Sequence, residues 1–592
     1  MKDVVIDVLF FYSPKDLEYA FGFHTIEPYY RKEFPNKKGY YIVQKRAINA
    51  NLKTNSVNDS YSIKWKIHDL KGWTNSSLLN LASSEGLIMD KKHSLDTYKT
   101  CMDKALQEEP ETFLKYGLDD AEILHKIVAS KIENTNTLVS KTLGMPNTYV
   151  FDLDSIKYST GSLVSQILEK YMKHFFIKKL LEEGVDKKDT HHYLRYVYSK
   201  MSLVKGQILK KEENLNTWHA IFNHTSFEKI HAYVTEKKLS NFKLFKEDDV
   251  LFKLYSYGSI QFFLNQDTIS TSKYNALVSG GRCVNEQPTK MKHSNVLDID
   301  MSSCYGTALE DFALPIGIPT IYSTSSHEKG MSLKEFLNMY KITVTGTLRF
   351  DQDLIFSKII DDDKLNTASV AAGKCFENQF SDTPHIHADL VLLRREIING
   401  VITSDVLEAI EKVSSNKELK EFYSLRVVTA CMWMKSNKVD SFKDFCTEIF
   451  KDEGRFEYST EFNASLDKRT RKWFSFSLDQ FITPLKNQRK AIKNQMKETT
   501  DTVLKALLNA VQESVKLVIN STYGILASLF FAVSNAVVAD YITARARVNG
   551  WYMNKALGTF NTITDGGCFS PELVRFLSVS NKKQNNKTKF AL

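Results

Sequence analysis

Two carboxylate-bearing segments far apart in the chain do most to limit its fold. The first, Val296-Leu297-Asp298-Ile299-Asp300, alternates apolar and acidic residues. That is the pattern of a half-buried strand, and it puts Asp298 and Asp300 on one face. The second, Thr564-Asp565-Gly566-Gly567, follows a strand-like run over 559–564 and reads as a tight turn. Cys568-Phe569 would begin the return strand, leaving Asp565 at a hairpin tip able to approach Asp300. Taken singly, these are ordinary edge-strand aspartates and a surface turn. If Asp565 does approach Asp300, the fold must close a long loop to bring two acids to one place.

A helical hairpin supplies the opposite charge. Thr483-Pro484 predicts a helix start with proline at the first position, running to about Lys497. Thr499-Thr500-Asp501 should break it and cap a second helix. Arg489 and Lys493 are four apart and share a face, as do Lys516, Asn520 and Tyr523 on the second helix. The apolar stretch from Ile525 to Ala539 is too short and too polar to span a bilayer and predicts a buried helix, with no membrane partner.

Composition is compatible with this reading. A chain of 592 residues, 43% hydrophobic and 25% charged, forms several domains with real cores and is not a disordered chain. A net charge of +9 suits a polyanionic partner. The seven cysteines include no C-x-x-C pair, so neither a zinc site nor a disulfide framework is indicated, and the odd, patternless count points to a reducing compartment, not secretion. Residues 1–135 alternate strand and helix signals: a strand over Val4–Tyr12, a helix start near Ser13, an apolar helix over Leu78–Ala82 and an amphipathic segment from Leu95 to Leu124. The lysine-rich stretch from Tyr171 to Glu183 reads as a solvated helix face. His385-Ile386-His387 reads as a strand with two histidines on one face rather than a metal site.

In this order, Asp300-Met301-Ser302-Ser303-Cys304-Tyr305-Gly306, Lys516-Leu517-Val518-Ile519-Asn520-Ser521-Thr522-Tyr523-Gly524 and Thr564-Asp565-Gly566-Gly567 strongly resemble motifs A, B and C of family B DNA polymerases. Gly306 replaces the usual proline of motif A, and Ile563 the first aspartate of motif C. Val278-Ser279-Gly280-Gly281-Arg282 is similar to the family's template-binding motif, with valine where tyrosine is usual. Tyr116-Gly117-Leu118-Asp119-Asp120 resembles the third motif of the proofreading exonuclease. Phe11-Tyr12-Ser13-Pro14-Lys15-Asp16 resembles its second, and Asp16-Leu17-Glu18 can also be read as its first.

The resemblance implies an α/β and α+β multidomain fold. A ribonuclease H-like exonuclease domain over 1–135 precedes a connecting region over 136–290. A right-hand polymerase palm over 291–483, with a long insertion, and helical fingers over 484–524 follow, then palm again over 525–592. Few residues follow Asp565, so the thumb is expected to be missing and the chain truncated at both ends. Asp300 and Asp565 are implied as the catalytic residues that bind two Mg²⁺ ions, or Mn²⁺ in their place. Tyr305, Arg489, Lys493, Lys516, Asn520, Tyr523 and Gly524 are implied to bind nucleotide, with Tyr305 under the incoming sugar. Gly280, Gly281 and Arg282 would bind DNA, and Asp16, Tyr116 and Asp120 would serve the exonuclease.

The implied partners are primer-template DNA and deoxynucleoside triphosphates, with a terminal protein or a second polymerase fragment as further candidates. The implied setting is a linear plasmid, an organelle (mitochondrion or plastid) or a virus. Two other readings stay open: a catalytically inactive relic that only binds DNA, and a nuclease working around Asp16 and Asp120.

Overall fold

The computed structural model describes residues 2–13, 16–17, 30–32, 41–43, 47–53, 60–74, 77–85, 87, 95–98, 101–190, 193, 281, 283–285, 295–317, 320–323, 330–340, 346–350, 401–403, 407–408, 411, 416–451, 472–528, 531, 533, 535–559 and 561–571. Gly280, Arg282, Glu18, His385 and His387 lie outside the described residues. The chain forms two compact units, one of residues 1–171 with 484–522 and one of residues 172–483 with 523–592.

The first unit opens on β1 (Lys2–Phe10), β2 (Ala47–Lys53) and β3 (Ser60–Asp69), in sheet order β1-β3-β2. β1 and β3 run parallel, with Val8 opposite Ile67, and β2 is antiparallel to β3. A helix start lies near Ser13, as expected, and Asp16 N donates to the Tyr12 carbonyl; Ser13 itself holds Asp69. Its backbone N–H and hydroxyl both donate to the Asp69 carboxylate, at 2.9 and 2.6 Å. α1 (Leu78–Ser84) starts where expected because the Ser77 hydroxyl accepts from Asn80 N.

The amphipathic segment from Leu95 is not one helix. Met102–Glu108 ends before Pro110, and α2 (Pro110–Thr137) starts at that proline and runs past Leu124. Proline fits a first turn, where its missing N–H has no partner to lose, and cannot continue the helix before it. Ile123, Ile127 and Val128 are its buried stripe. α3 (Thr160–Glu182) corrects the solvated reading of its lysine-rich second half. Met172, Phe176 and Leu180 are fully buried there, and the Phe176 ring stacks on Phe442 at 4.3 Å.

The second unit is built on short sheets. β4 (Cys283–Asn285) and β5 (Leu297–Asp300) precede α4 (Cys304–Asp311) and β6 (Ala313–Gly317). A mixed-length sheet follows, in which β7 (Arg426–Met432) pairs antiparallel with Thr320–Ser323, Met331–Ser332 and Gly346–Phe350. α5 (Phe442–Lys451) is capped by Glu183, which accepts from the N–H groups of Phe442 and Lys443 at 3.0 and 2.6 Å. β8 (Trp473–Ser477) pairs with β6 and brings Phe474 and Phe476 against Phe176.

α6 (Asp479–Glu498) begins earlier than Pro484 predicts. The Leu478 carbonyl accepts from Phe481 and Ile482 as soon as β8 ends, and the Thr483 hydroxyl donates to Glu310 at 2.9 Å instead of capping. α7 (Thr502–Ala527) is capped as expected, with Asp501 Oδ1 accepting from Val503 and Leu504. The stretch from Ile525 to Ala539 is two helix ends, not one helix. α7 stops at Ala527 and α8 (Ala536–Leu557) starts afresh. Asn535 Oδ1 accepts from the N–H groups of Val537 and Val538, which makes it the cap of the new helix. α8 is followed by β9 (Asn561–Ile563) and β10 (Gly566–Phe569).

Candidate active site

β4, β9, β10 and β5 form one antiparallel sheet in that order. Ile563 pairs with Gly566, so Thr564 and Asp565 are the two-residue turn between β9 and β10, and Thr564 is left-handed at φ +58°. Gly566 in turn lies opposite Asp300. The Met301 N–H donates to the Asp565 carbonyl at 2.8 Å, which fixes the turn to the end of β5. The two acids thus occupy neighbouring backbone positions at one sheet end. A Cβ on Gly566 would lie 3.4 Å from Asp300 Oδ1, so glycine keeps the space beside that carboxylate open.

Two further glycines let other segments close on the turn. A Cβ on Gly281 would sit 2.7 Å from the Thr564 methyl, and one on Gly550 of α8 would sit 3.3 Å from the Thr564 carbonyl. Gly281, expected to touch DNA, therefore lies against the turn that carries Asp565. Burial first, and then the charge of Asp300, hold the Asp565 carboxyl above the usual carboxylate range. Such a pair attracts a divalent cation, and its hard oxygen donors fit Mg²⁺. Cys304 adds no soft ligand. Burial and the charges of Asp565 and Asp300 push its thiol up to about 11, so it stays protonated near neutral pH.

Tyr305 sits in the first turn of α4, and its ring meets that of Tyr523 at 5.0 Å with a tilt of 35°. Both phenols are pushed up, chiefly by burial. Gly524, next in α7, is exposed, with open space where a side chain would stand. The second unit therefore brings together Asp300, Asp565, Tyr305 and Tyr523. Sequence reasoning missed Cys304, and also Asp540 and Arg547, an ion pair buried in α8. The available signal was two opposite charges seven apart, hence on one face, in a helical run whose other early positions are mostly apolar.

The first unit carries the other expected residues. Arg489 on α6 donates through Nε to Gln512 on α7 at 3.1 Å. Lys493 is exposed on α6. Lys516 pairs with Glu513 at 3.4 Å and, with Asn520, opens onto a cleft of about 330 Å³ that also touches Trp73, Glu85 and Lys131. Asp16 follows β1, and Tyr116 and Asp120 are one turn apart on α2. Burial, then Asp69, and further Asp120 raise the Asp16 carboxyl. Asp69 is thus a third acid of this group that sequence reasoning missed, and burial raises it as well.

Asp7, His68 and Asp154 bring ligand atoms within 4.8 Å of one another. Each acid of that cluster already has a partner: His68 Nε2 is 2.7 Å from Asp7 Oδ1, and the Lys66 ammonium sits on Asp154.

Residues 452–549 match the family model for DNA polymerase family B, a span that holds α6, α7 and most of α8. An uncharacterized mitochondrial protein of Marchantia polymorpha, ymf29, is 37% identical over 144 residues, covering 24% of this chain and 69% of the relative. The match over residues 452–549 supports a family B DNA polymerase. Among the described residues, no helix is long and apolar enough to cross a membrane.

Proposed function

We propose that this chain is a DNA-directed DNA polymerase that adds deoxynucleotides to a primer 3′ end by two-metal nucleotidyl transfer. One observation carries the reading: the turn holding Asp565 is bonded to the end of the strand holding Asp300, with the Tyr305–Tyr523 ring pair in the same unit. Asp300 and Asp565 would hold the cations through carboxylate oxygens. Bound Mg²⁺ or Mn²⁺ would supply charge neutralisation for the attacking 3′ hydroxyl and the departing pyrophosphate.

Tyr305 would lie flat under the incoming sugar and exclude a 2′ hydroxyl, with Tyr523 supporting its ring. Arg489, Lys493, Lys516 and Asn520 would grip triphosphate oxygens, since guanidinium and ammonium donors suit them. Gly280, Gly281 and Arg282 would guide template. In this reading residues 484–524 act as fingers, and 291–483 with 525–592 act as palm.

Residues 1–135 would be the proofreading module, with Asp16, Tyr116 and Asp120 at its site. The raised Asp16 carboxyl, close to Asp69 and Asp120, supports an acidic group there that gains from a cation. Primer-template DNA and deoxynucleoside triphosphates are the substrates, and a terminal protein or a second polymerase fragment would be further partners. The mitochondrial relative supports an organellar element as the DNA replicated.

The test is Mg²⁺-dependent extension of a labelled primer, with Asp300→Ala and Asp565→Ala beside the unmutated chain. Templated extension lost in both variants, with DNA binding kept, is the expected result. Extension that survives both substitutions would refute the assignment, and binding without extension in the unmutated chain would favour a DNA-binding relic.

A further inference from the structure

The cleft of about 330 Å³ that Lys516 and Asn520 line has a second wall, contributed by the amino-terminal part of the same compact unit. Trp73, Leu81, Ser84, Glu85 and Lys131 form it. Trp73 is fixed in place. Its ring stacks on Tyr158 at 5.2 Å, 16° from parallel, and Nε1 donates to the Lys157 carbonyl at 2.9 Å. Leu81 of α1 and Leu517 of α7 carry this apolar surface onto both walls.

Two ion pairs line the cleft, and they differ in kind. Glu85, with a side chain 2% exposed, pairs with Lys131 at 2.7 Å through Oε1. Its other oxygen, Oε2, is buried and meets no hydrogen-bond donor among the described residues. A buried acceptor left open costs stability, and the N–H of a ligand would satisfy it. The second pair, Lys516 with Glu513, spans 3.4 Å between side chains 45% and 49% exposed. Such a pair is worth little in water, so Lys516 can exchange Glu513 for a phosphate at small cost. Asn520, four residues on and exposed, presents an amide on the same helix face.

We propose that this cleft binds one nucleotide, with its base against Trp73, Leu81 and Leu517, a pairing-edge N–H on Glu85 and its phosphate on Lys516. A rigid aromatic surface, an open acceptor and one exchangeable cation are what a base joined to a phosphate requires. Each of the four bases carries an N–H on its pairing edge, so the site is tolerant of sequence. The nucleotide is either a free deoxynucleoside triphosphate or one residue of a single strand, since both offer this chemistry. The inference deepens the polymerase reading, on which it rests, by adding Trp73, Leu81 and Glu85 to nucleotide binding.

The experiment uses the full chain. Ser84 is exposed in the cleft wall, and its hydroxyl donates to the Leu81 carbonyl of its own helix at 2.7 Å. Ser84→Trp therefore fills the cleft without stripping a buried group, and Ser84→Ala is the size control. Equilibrium dialysis without divalent cation gives Kd for labelled dATP and for labelled 5′-phosphorylated trideoxyadenylate. Ser84→Trp should raise one or both by more than about tenfold, with Ser84→Ala unchanged, and the ligand that responds identifies the source. Kd values unaltered by Ser84→Trp for both ligands, or no binding of either by the unmutated chain, would overturn the inference.

A second readout needs no variant to fold. Photolysis of 8-azido-dATP on the unmutated chain should label both the tryptic peptide holding Trp73 and Leu81 and the one holding Leu517 and Asn520. Absence of label from the Trp73 peptide would overturn the inference. Failure of the unmutated chain to extend any primer would remove the polymerase reading, while dialysis and labelling still decide whether the cleft binds a nucleotide.

Discussion

Replacing Asp565 with asparagine should stabilise the cation-free protein near neutral pH and abolish its response to divalent cations. Gly566 faces Asp300 across the ladder, and Met301 N donates to the Asp565 carbonyl. Two carboxylates therefore leave adjacent positions on neighbouring chain segments, where side chains are roughly 5–7 Å apart. At about 6 Å, like charges repel by about 3 kcal/mol at an effective dielectric near 20 and by under about 1 kcal/mol in water. Asp300 is exposed and Asp565 half-buried, so the repulsion lies between these limits, at about 1–2 kcal/mol.

The sign follows from the raised Asp565 carboxyl. The folded state holds that proton more tightly than the unfolded chain. The resulting stability is complete below the ordinary carboxylate value and is lost as pH rises through the raised one. Near about pH 8 the native chain thus carries the full penalty, and Asp565→Asn does not. A cation at ten times its dissociation constant would return about 1.4 kcal/mol to the native protein. Denaturant unfolding with and without Mg²⁺, at about pH 4 and about pH 8, measures all of this. An Asp565→Asn chain no more stable than the native one at the higher pH, with its Mg²⁺ response intact, would refute the reasoning.

Other substitutions probe separate parts. Tyr305→Val should raise ribonucleotide incorporation about 10- to 100-fold relative to deoxynucleotide, measured by kinetics with matched triphosphates. Lys516→Ala should raise KM for the triphosphate about 10- to 100-fold with a smaller change in kcat. Gly281→Ala would drive a methyl into Thr564 and should cost about 1–3 kcal/mol of stability by thermal unfolding. Glu85→Ala would strip Lys131 of its 2.7 Å partner in a pair where Glu85 is almost fully buried, and should cost about 3–5 kcal/mol by denaturant unfolding.

The parts of this fold that sequence disclosed are those dictated by local chemistry. Alternation over 296–300 marked a strand, the glycines at 566 and 567 marked a hairpin, and Asp501 marked a helix start because a carboxylate can satisfy free N–H groups there. Pro484 misled because a proline can also ride inside a helix whose start is set elsewhere, here by the end of β8. The run from 525 to 539 misled because apolar content does not distinguish one buried helix from two joined by a turn, and Asn535 was the overlooked cap. Arg547 was overlooked although Asp540, seven residues earlier, marks the same face of α8 with the opposite charge.

The order of strands in the site sheet also governs how this chain can be made. β4 and β5 lie close in sequence but do not pair, since β9 and β10, from 561–569, fill the space between them. During synthesis both strands emerge long before their partners and present unpaired backbone along their inner edges. Contacts of such sequence separation form slowly. A nascent chain halted anywhere before residue 561 would carry two open edges and no site, which makes it a client for chaperones or a seed for aggregation until that hairpin is delivered.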